Sequence, residues 1–231
     1  MNKTKKNNRL KSSKQRIRRN YTYKQKYMKD LIHNYPSCKF DEAGFDKSQY
    51  GEHKITYGEM EYEGIKKLYK IVSSYKKINY FMDIGSGRGK LCFFMSSFHN
   101  ILKVLGIELV KERYEDALLL RDKLNDKIVK KIDFINGNVL DINLYEKLRF
   151  DAPNERLDAS IFVWMSNLCF EHETTLRILN KLQDELPYGT IICLSKEPPS
   201  LPSKIKKIKN TKIEMSWCKD SSVTIYEIKS E

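Results

Sequence analysis

The segment Phe81-Met82-Asp83-Ile84-Gly85-Ser86-Gly87-Arg88-Gly89-Lys90 and the acid Glu108, 25 residues beyond Asp83, are the residues best suited to chemistry. Glycines directly after an apolar run let the backbone pass close to a ligand and open a helix whose N–H groups point at it. The spacing is G-x-G-x-G, whereas dinucleotide binders favour G-x-G-x-x-G. Asp83 precedes the turn, where a carboxylate suits the methionine part of S-adenosylmethionine and no pyrophosphate has to be bound. Glu108 ends the run KVLGIE, where an acid accepts both ribose hydroxyls. Asn138 in FINGNVLD falls where such folds contact adenine, with Val139 pressing on the base. The plainer alternatives are a strand-end charge for Glu108 and an Asn-Gly turn before Asn138.

These residues need a scaffold, and the chain alternates strand-like with helix-like segments from about residue 60. NYFMDIG, KVLGIEL, IDFING, DASIFVW and TIICLS are strand-like. EGIKKLYKIV aligns Ile65, Leu68, Tyr69 and Val72 on one helical face, and LCFFMSSF continues from the glycine loop as a buried helix. KERYEDALLLRDKLNDKI aligns Tyr114, Ala117, Leu118, Leu124 and Ile128 as one helix. HETTLRILNKLQDEL is a further helix, stopped by Pro187 and Gly189. KIEMSW and VTIYEI, joined by CKDSS, predict a terminal hairpin. The expected fold is α/β and Rossmann-like: a seven-stranded class I S-adenosylmethionine-dependent methyltransferase sheet ending in an antiparallel hairpin.

Composition bounds what else the chain is. The 231 residues and 40% hydrophobic content suit one domain with a core and some extra length. No apolar run reaches the roughly 20 residues of a membrane span, and the N-terminus has no apolar signal core. Cys38, Cys92, Cys169, Cys193 and Cys218 are scattered without a CxxC pair, which predicts a reducing compartment and no metal. Residues 1–30 carry twelve Lys or Arg against one acid, or +11 of the chain's +13. This segment is expected to be a disordered basic arm suited to phosphate backbones, an import signal or a solubilising tail. Residues 31–56 are a lead-in and 57–231 the catalytic domain.

YGEMEYEGI, FMDIGSGRGK, GIELVKERYEDA, FINGNVLDINL, SNLCF, LSKEPP and MSWCKDSSVTIYEI occur in this order. Together they resemble the disruptor-of-telomeric-silencing family of non-SET histone lysine methyltransferases, over the stretch from about residue 55 to the end. The resemblance implies S-adenosylmethionine as cofactor and a core lysine of histone H3 on nucleosomes as target. It places Tyr57, Gly58 and Glu59, with Met60, in a loop folding over the cofactor. The similar Tyr50-Gly51-Glu52 stands outside that register, as an echo. Asp83, Gly85, Ser86, Gly87, Lys90, Glu108, Asn138 and Val139 would hold the cofactor. Asn167 would line the methyl-transfer site, and Trp217 would stand near the channel for the target lysine. The sequence departs from the family pattern at Asn138, where Asp is usual, at Ser166, where Asn is usual, and at Ile225, where Tyr is usual.

The implied function is a nucleosomal histone H3 lysine methyltransferase in the nucleus, or in a viral factory if the chain is viral, with DNA gripped by the basic arm. Two alternatives stand beside it. One is the same chemistry on RNA or a non-histone protein; the other is a non-catalytic nucleic-acid-binding module. The intact Asp83, glycine loop and Glu108 argue against the latter.

Overall fold

The parallel pairing of β1 (Tyr80–Ile84) with β2 (Lys103–Glu108) on one side and β4 (Ile161–Met165) on the other sets the architecture of this computed structural model. The structure describes residues 25–32, 58–148 and 160–230. β3 (Ile132–Asn136) pairs parallel with β2, and β5 (Ile191–Leu194) parallel with β4. β6 (Ile205–Met215) and β7 (Cys218–Ile228) complete a seven-stranded sheet of order β3-β2-β1-β4-β5-β7-β6, with β7 antiparallel to both neighbours. The strand order reverses between β1 and β4, and ligands bind beyond the carboxyl ends of strands at such a switch point. The expected doubly wound sheet with a terminal hairpin is the observed one.

Alternation along the strands divides the core. Phe81, Phe162 and Trp164 face one layer, formed with α2 (Tyr62–Tyr75), α3 (Lys90–Ser96) and α4 (Lys111–Arg121). Met82, Ile84, Val163 and Met165 face the other, formed with α6 (Leu144–Leu148) and α7 (His172–Glu185). Tyr69, aligned by periodicity with Ile65, Leu68 and Val72, stacks on Phe98 at 3.7 Å between ring centroids.

Three boundaries differ from the sequence expectation. The segment 111–128 is not one helix: α4 ends at Arg121, and Asn125 caps a separate turn, α5 (Asp126–Val129), by accepting from the Ile128 N–H. An Asn side chain that competes for backbone N–H groups ends a helix as readily as it starts one. The hairpin turn is Ser216-Trp217, with Met215 opposite Cys218, so CKDSS lies within β7. A helix, α1, spans residues 25–32 and buries Met28 completely, with Tyr27, Leu31 and Ile32 packed beside it. The boundary at residue 30 therefore cuts through α1, a helix of the folded body. Residues 1–24, the Tyr50 triplet and Tyr57 lie outside the described residues.

Candidate cofactor and substrate cavity

A cavity of about 350 Å³ opens at the carboxyl ends of β1, β2 and β4, within the range of small-molecule sites. Its floor is the glycine loop. Gly85, Gly87 and Gly89 all have φ between +55 and +79°, a left-handed conformation that side chains resist. A Cβ on Gly89 would also lie 2.6 Å from Phe134. The loop spends its amides inside the protein. Gly85 and Ser86 donate to the Ile107 carbonyl, Gly87 donates to Glu108 Oε2 at 2.7 Å, and Gly89 donates to the Ser86 carbonyl. These four N–H groups are not offered to an anion, unlike those of a phosphate-binding loop.

Two buried carboxyl groups reinforce that point. Glu108 accepts from Gly87 and from the Val110 N–H at 2.8 Å. Burial raises its pKa, while these backbone donors and the buried Arg113 pull it back. Asp83 is buried against the Cys92 thiol, which approaches its carboxylate to 3.7 Å. Burial first, and the neighbouring Glu108 second, hold Asp83 well above the ordinary carboxylate range. An anionic pyrophosphate is repelled by such a pair, whereas a cationic, hydroxyl-bearing ligand relieves both groups. The Ser86 hydroxyl, buried without a hydrogen-bond partner among the described residues, lines the same cavity. Asn138 and Val139 line its far end, where the Asn138 side chain accepts from the Leu140 N–H and starts a short 3-10 turn. The donor set fits S-adenosylmethionine.

The helix after β2 supports the loop in a way that sequence periodicity did not reveal. Arg113 and Asp116 are three residues apart on α4 and share a face. Arg113 lies toward Glu108, and Asp116 takes Arg88 of the glycine loop at 2.9 Å. The RYED part of GIELVKERYEDA is thus a brace on both ends of the cofactor floor.

The loop 58–61 covers the cavity because the terminal hairpin holds it. Glu59 donates its N–H to Ser216 Oγ at 3.1 Å, Ser216 returns an N–H to the Glu59 carbonyl at 2.8 Å, and Glu61 donates to the Glu214 carbonyl. Met60 bridges Met215 in antiparallel fashion. Glu59 and Lys90, both expected as cofactor contacts, line the cavity but pair with each other at 3.0 Å, which latches the loop onto α3. The Lys90 ammonium also sits 5.2 Å above the Tyr62 ring.

The SNLCF segment is arranged differently from expectation. Asn167 is buried and does not line the cavity: its Nδ2 donates to the Lys196 carbonyl at 2.9 Å and its Oδ1 accepts from the Lys196 N–H at 2.8 Å. A side chain with both amide ends engaged clamps the end of β4 to the end of β5. Its neighbours Ser166, Leu168, Cys169 and Phe170 line the cavity instead. Leu168 and Trp217 are each 43% exposed and stand at the mouth as apolar rim residues. Neither Ile225 nor Tyr226 reaches the cavity; both are fully buried, on opposite faces of β7. Among the described residues no group of His, Cys, Asp and Glu is arranged to hold a metal ion.

Comparison with solved structures gives fold likeness at low identity. yhhF of Escherichia coli, assigned as a methyltransferase, aligns with TM-score 0.53 at 11% identity, over 78% of this chain and 92% of its own. The glycopeptide N-methyltransferase MtfA aligns with TM-score 0.53 at 11% identity over 72% of this chain and 90% of its own. Its complex with S-adenosyl-L-homocysteine gives TM-score 0.53 at 10% identity, with 73% and 88% covered. Among curated proteins no sequence matches. The family model described as histone methylation protein DOT1 matches residues 47–228, well over half of the chain. The chain therefore belongs to the DOT1 family, on the fold of S-adenosylmethionine-dependent methyltransferases.

Proposed function

We propose that this protein is a histone lysine methyltransferase that modifies a core lysine of histone H3 in nucleosomes, in the nucleus, with its basic N-terminal arm on DNA. The coarser class is a S-adenosylmethionine-dependent methyltransferase, by family and fold. The observation that supports this target is the family match, together with two exposed apolar side chains, Leu168 and Trp217, on the lining of the cavity. When bound, S-adenosylmethionine supplies an electrophilic methyl group on a sulfonium. Glu108 would hold the ribose hydroxyls, Asn138 and Val139 the adenine, and Asp83 the cationic amino-acid end. Gly58, Glu59 and Met60 would cover it.

The rim acts on the acceptor. A lysine ammonium, with pKa about 10.4, must lose its proton before it attacks. Passing its stem between Leu168 and Trp217 strips water from the charged head, which favours the neutral amine. The SNLCF segment itself carries no carboxylate or imidazole that could take the proton, which fits loss of the proton to solvent at the mouth. The work of the chain is then positioning: two reactants are held in line, and water is excluded from the transfer. Asn167 acts through Ser166 and Leu168, by fixing the turn that carries them.

The test is radiolabelled methyl transfer to nucleosomes, free histones and RNA in parallel. Label on H3 in nucleosomes, lost on Glu108→Ala, is the expected result. Label on RNA alone would overturn the reading.

A further inference from the structure

The chain outside the arm has a net charge near zero, but its lysines are not evenly spread. β6 is the edge strand of the sheet, and residues 204–212 hold five lysines and no acid. Lys207 is occupied by Glu197. Lys206 and Lys209 are exposed with no ion-pair partner among the described residues, and Lys212 reaches only the Ser222 hydroxyl. α2 lies against the same strand, since a Cβ on Gly64 would meet the Glu214 carbonyl at 2.3 Å. Lys67 and Lys70 follow Gly64 at helical spacing, exposed and likewise without an ion-pair partner among the described residues.

We propose that this edge is a docking track for the backbone of duplex DNA, separate from the arm. From Lys206 to Lys212 the strand runs about 20 Å, a length that faces about six phosphates of one DNA strand. Residues 205–213 contain no aromatic side chain on which a base could stack. Single-stranded binders rely on such platforms, so the track suits a duplex read through its phosphates. It ends at Met215, which pairs with Met60 of the cavity loop, so bound DNA leads toward the mouth. The plain alternative is that edge lysines only prevent strand-to-strand association. That role is served by any charge, whereas phosphate binding requires positive charge.

The two roles separate on substitution in the full chain. Lys206→Glu/Lys209→Glu/Lys212→Glu keeps a charged edge and reverses its sign; the triple Lys→Arg variant keeps both charge and sign. Binding of a short random-sequence DNA duplex is followed by fluorescence anisotropy across a salt series, beside cofactor binding and the melting temperature. The expected result is a loss of about tenfold or more for the Glu variant, with the salt slope reduced by about 0.9 for each lysine that met a phosphate. The Arg variant should bind like the original, and melting and cofactor affinity should stay unchanged in both. A folded Glu variant with the original duplex affinity and slope overturns the track, as does a loss confined to single-stranded RNA. The track does not rest on which side chain is methylated, because its readout is naked duplex and transfer to free H3 is a separate assay.

Discussion

A Cβ built on Gly58 would lie 2.5 Å from two ring atoms of Trp217, so the backbone of the cavity loop rests directly on the indole at the hairpin turn. These residues are 159 positions apart in the sequence. The contact joins the loop over the cavity to the apolar rim at its mouth, and any side chain at 58 must separate them. Gly58→Val is expected to weaken cofactor binding by roughly 10- to 100-fold, the range that overpacking of about 1–3 kcal/mol implies. Calorimetric titration with S-adenosylmethionine checks this. An unchanged affinity would show that the loop does not need this contact.

Asp83 gives a pH dependence whose sign follows from its burial. Unfolded, the carboxyl ionises near its ordinary value of 3.8; folded and free of ligand, it holds its proton well above that. The folded state binds more protons in this window, so Asp83's contribution favours folding at the acidic end and is lost as pH rises through its raised pKa. Asp83→Asn should remove that slope from ligand-free melting curves, leaving the slope due to Glu108. It should also weaken cofactor binding by roughly 10- to 100-fold, as expected for losing a charge-assisted contact. Melting curves across pH and a titration at neutral pH measure both effects.

Glu108 combines binding with structure, because its two oxygens accept from Gly87 and Val110. Glu108→Ala leaves both donors buried and should destabilise the protein by about 2–4 kcal/mol while abolishing cofactor binding. Glu108→Gln keeps one acceptor and should recover part of the stability without the affinity. Denaturant unfolding beside a cofactor titration separates the two effects.

Asn167→Ala should act on the fold first. Losing both bonds to Lys196 is expected to cost about 1–3 kcal/mol of stability, with cofactor affinity nearly unchanged. Turnover should fall because Ser166 and Leu168 lose their support. A fall in kcat at unchanged melting temperature would instead indicate direct contact with the reacting groups.

Removal of residues 1–24 should weaken DNA binding and its salt dependence while leaving melting and cofactor affinity unchanged. Removal through residue 32 strips Met28 from the core and should cost roughly 2–5 kcal/mol. Thermal melting of the two truncations distinguishes the arm from the helix.

Much of this protein is legible in its sequence wherever one local pattern determines one local structure. The apolar runs before Gly85 and through Glu108 specify β1 and β2, because buried parallel strands need apolar residues on both faces. The three glycines of the loop adopt φ values that side chains resist, so the turn is written in residue type alone. The acids at 83 and 108 stand at the ends of those strands, and the strand order brings both to one cavity. Residues 58–60, expected from the sequence as a loop over the cofactor, stand directly ahead of α2 and line the cavity.

What the sequence could not display was which distant residues would meet. CKDSS has the composition of a turn, but register with β7 puts the turn at Ser216-Trp217 and brings Trp217 under Gly58. Asn167 sits in the segment that lines the cavity, yet its side chain is taken by the backbone of Lys196, just past the end of the adjacent strand. Lysines that average out along the chain gather on one edge when β6 becomes the outermost strand. Periodicity and residue type encode local conformation and burial. Pairings across about 30 to 160 residues depend on strand order and register, and those are decided only when the whole sheet assembles.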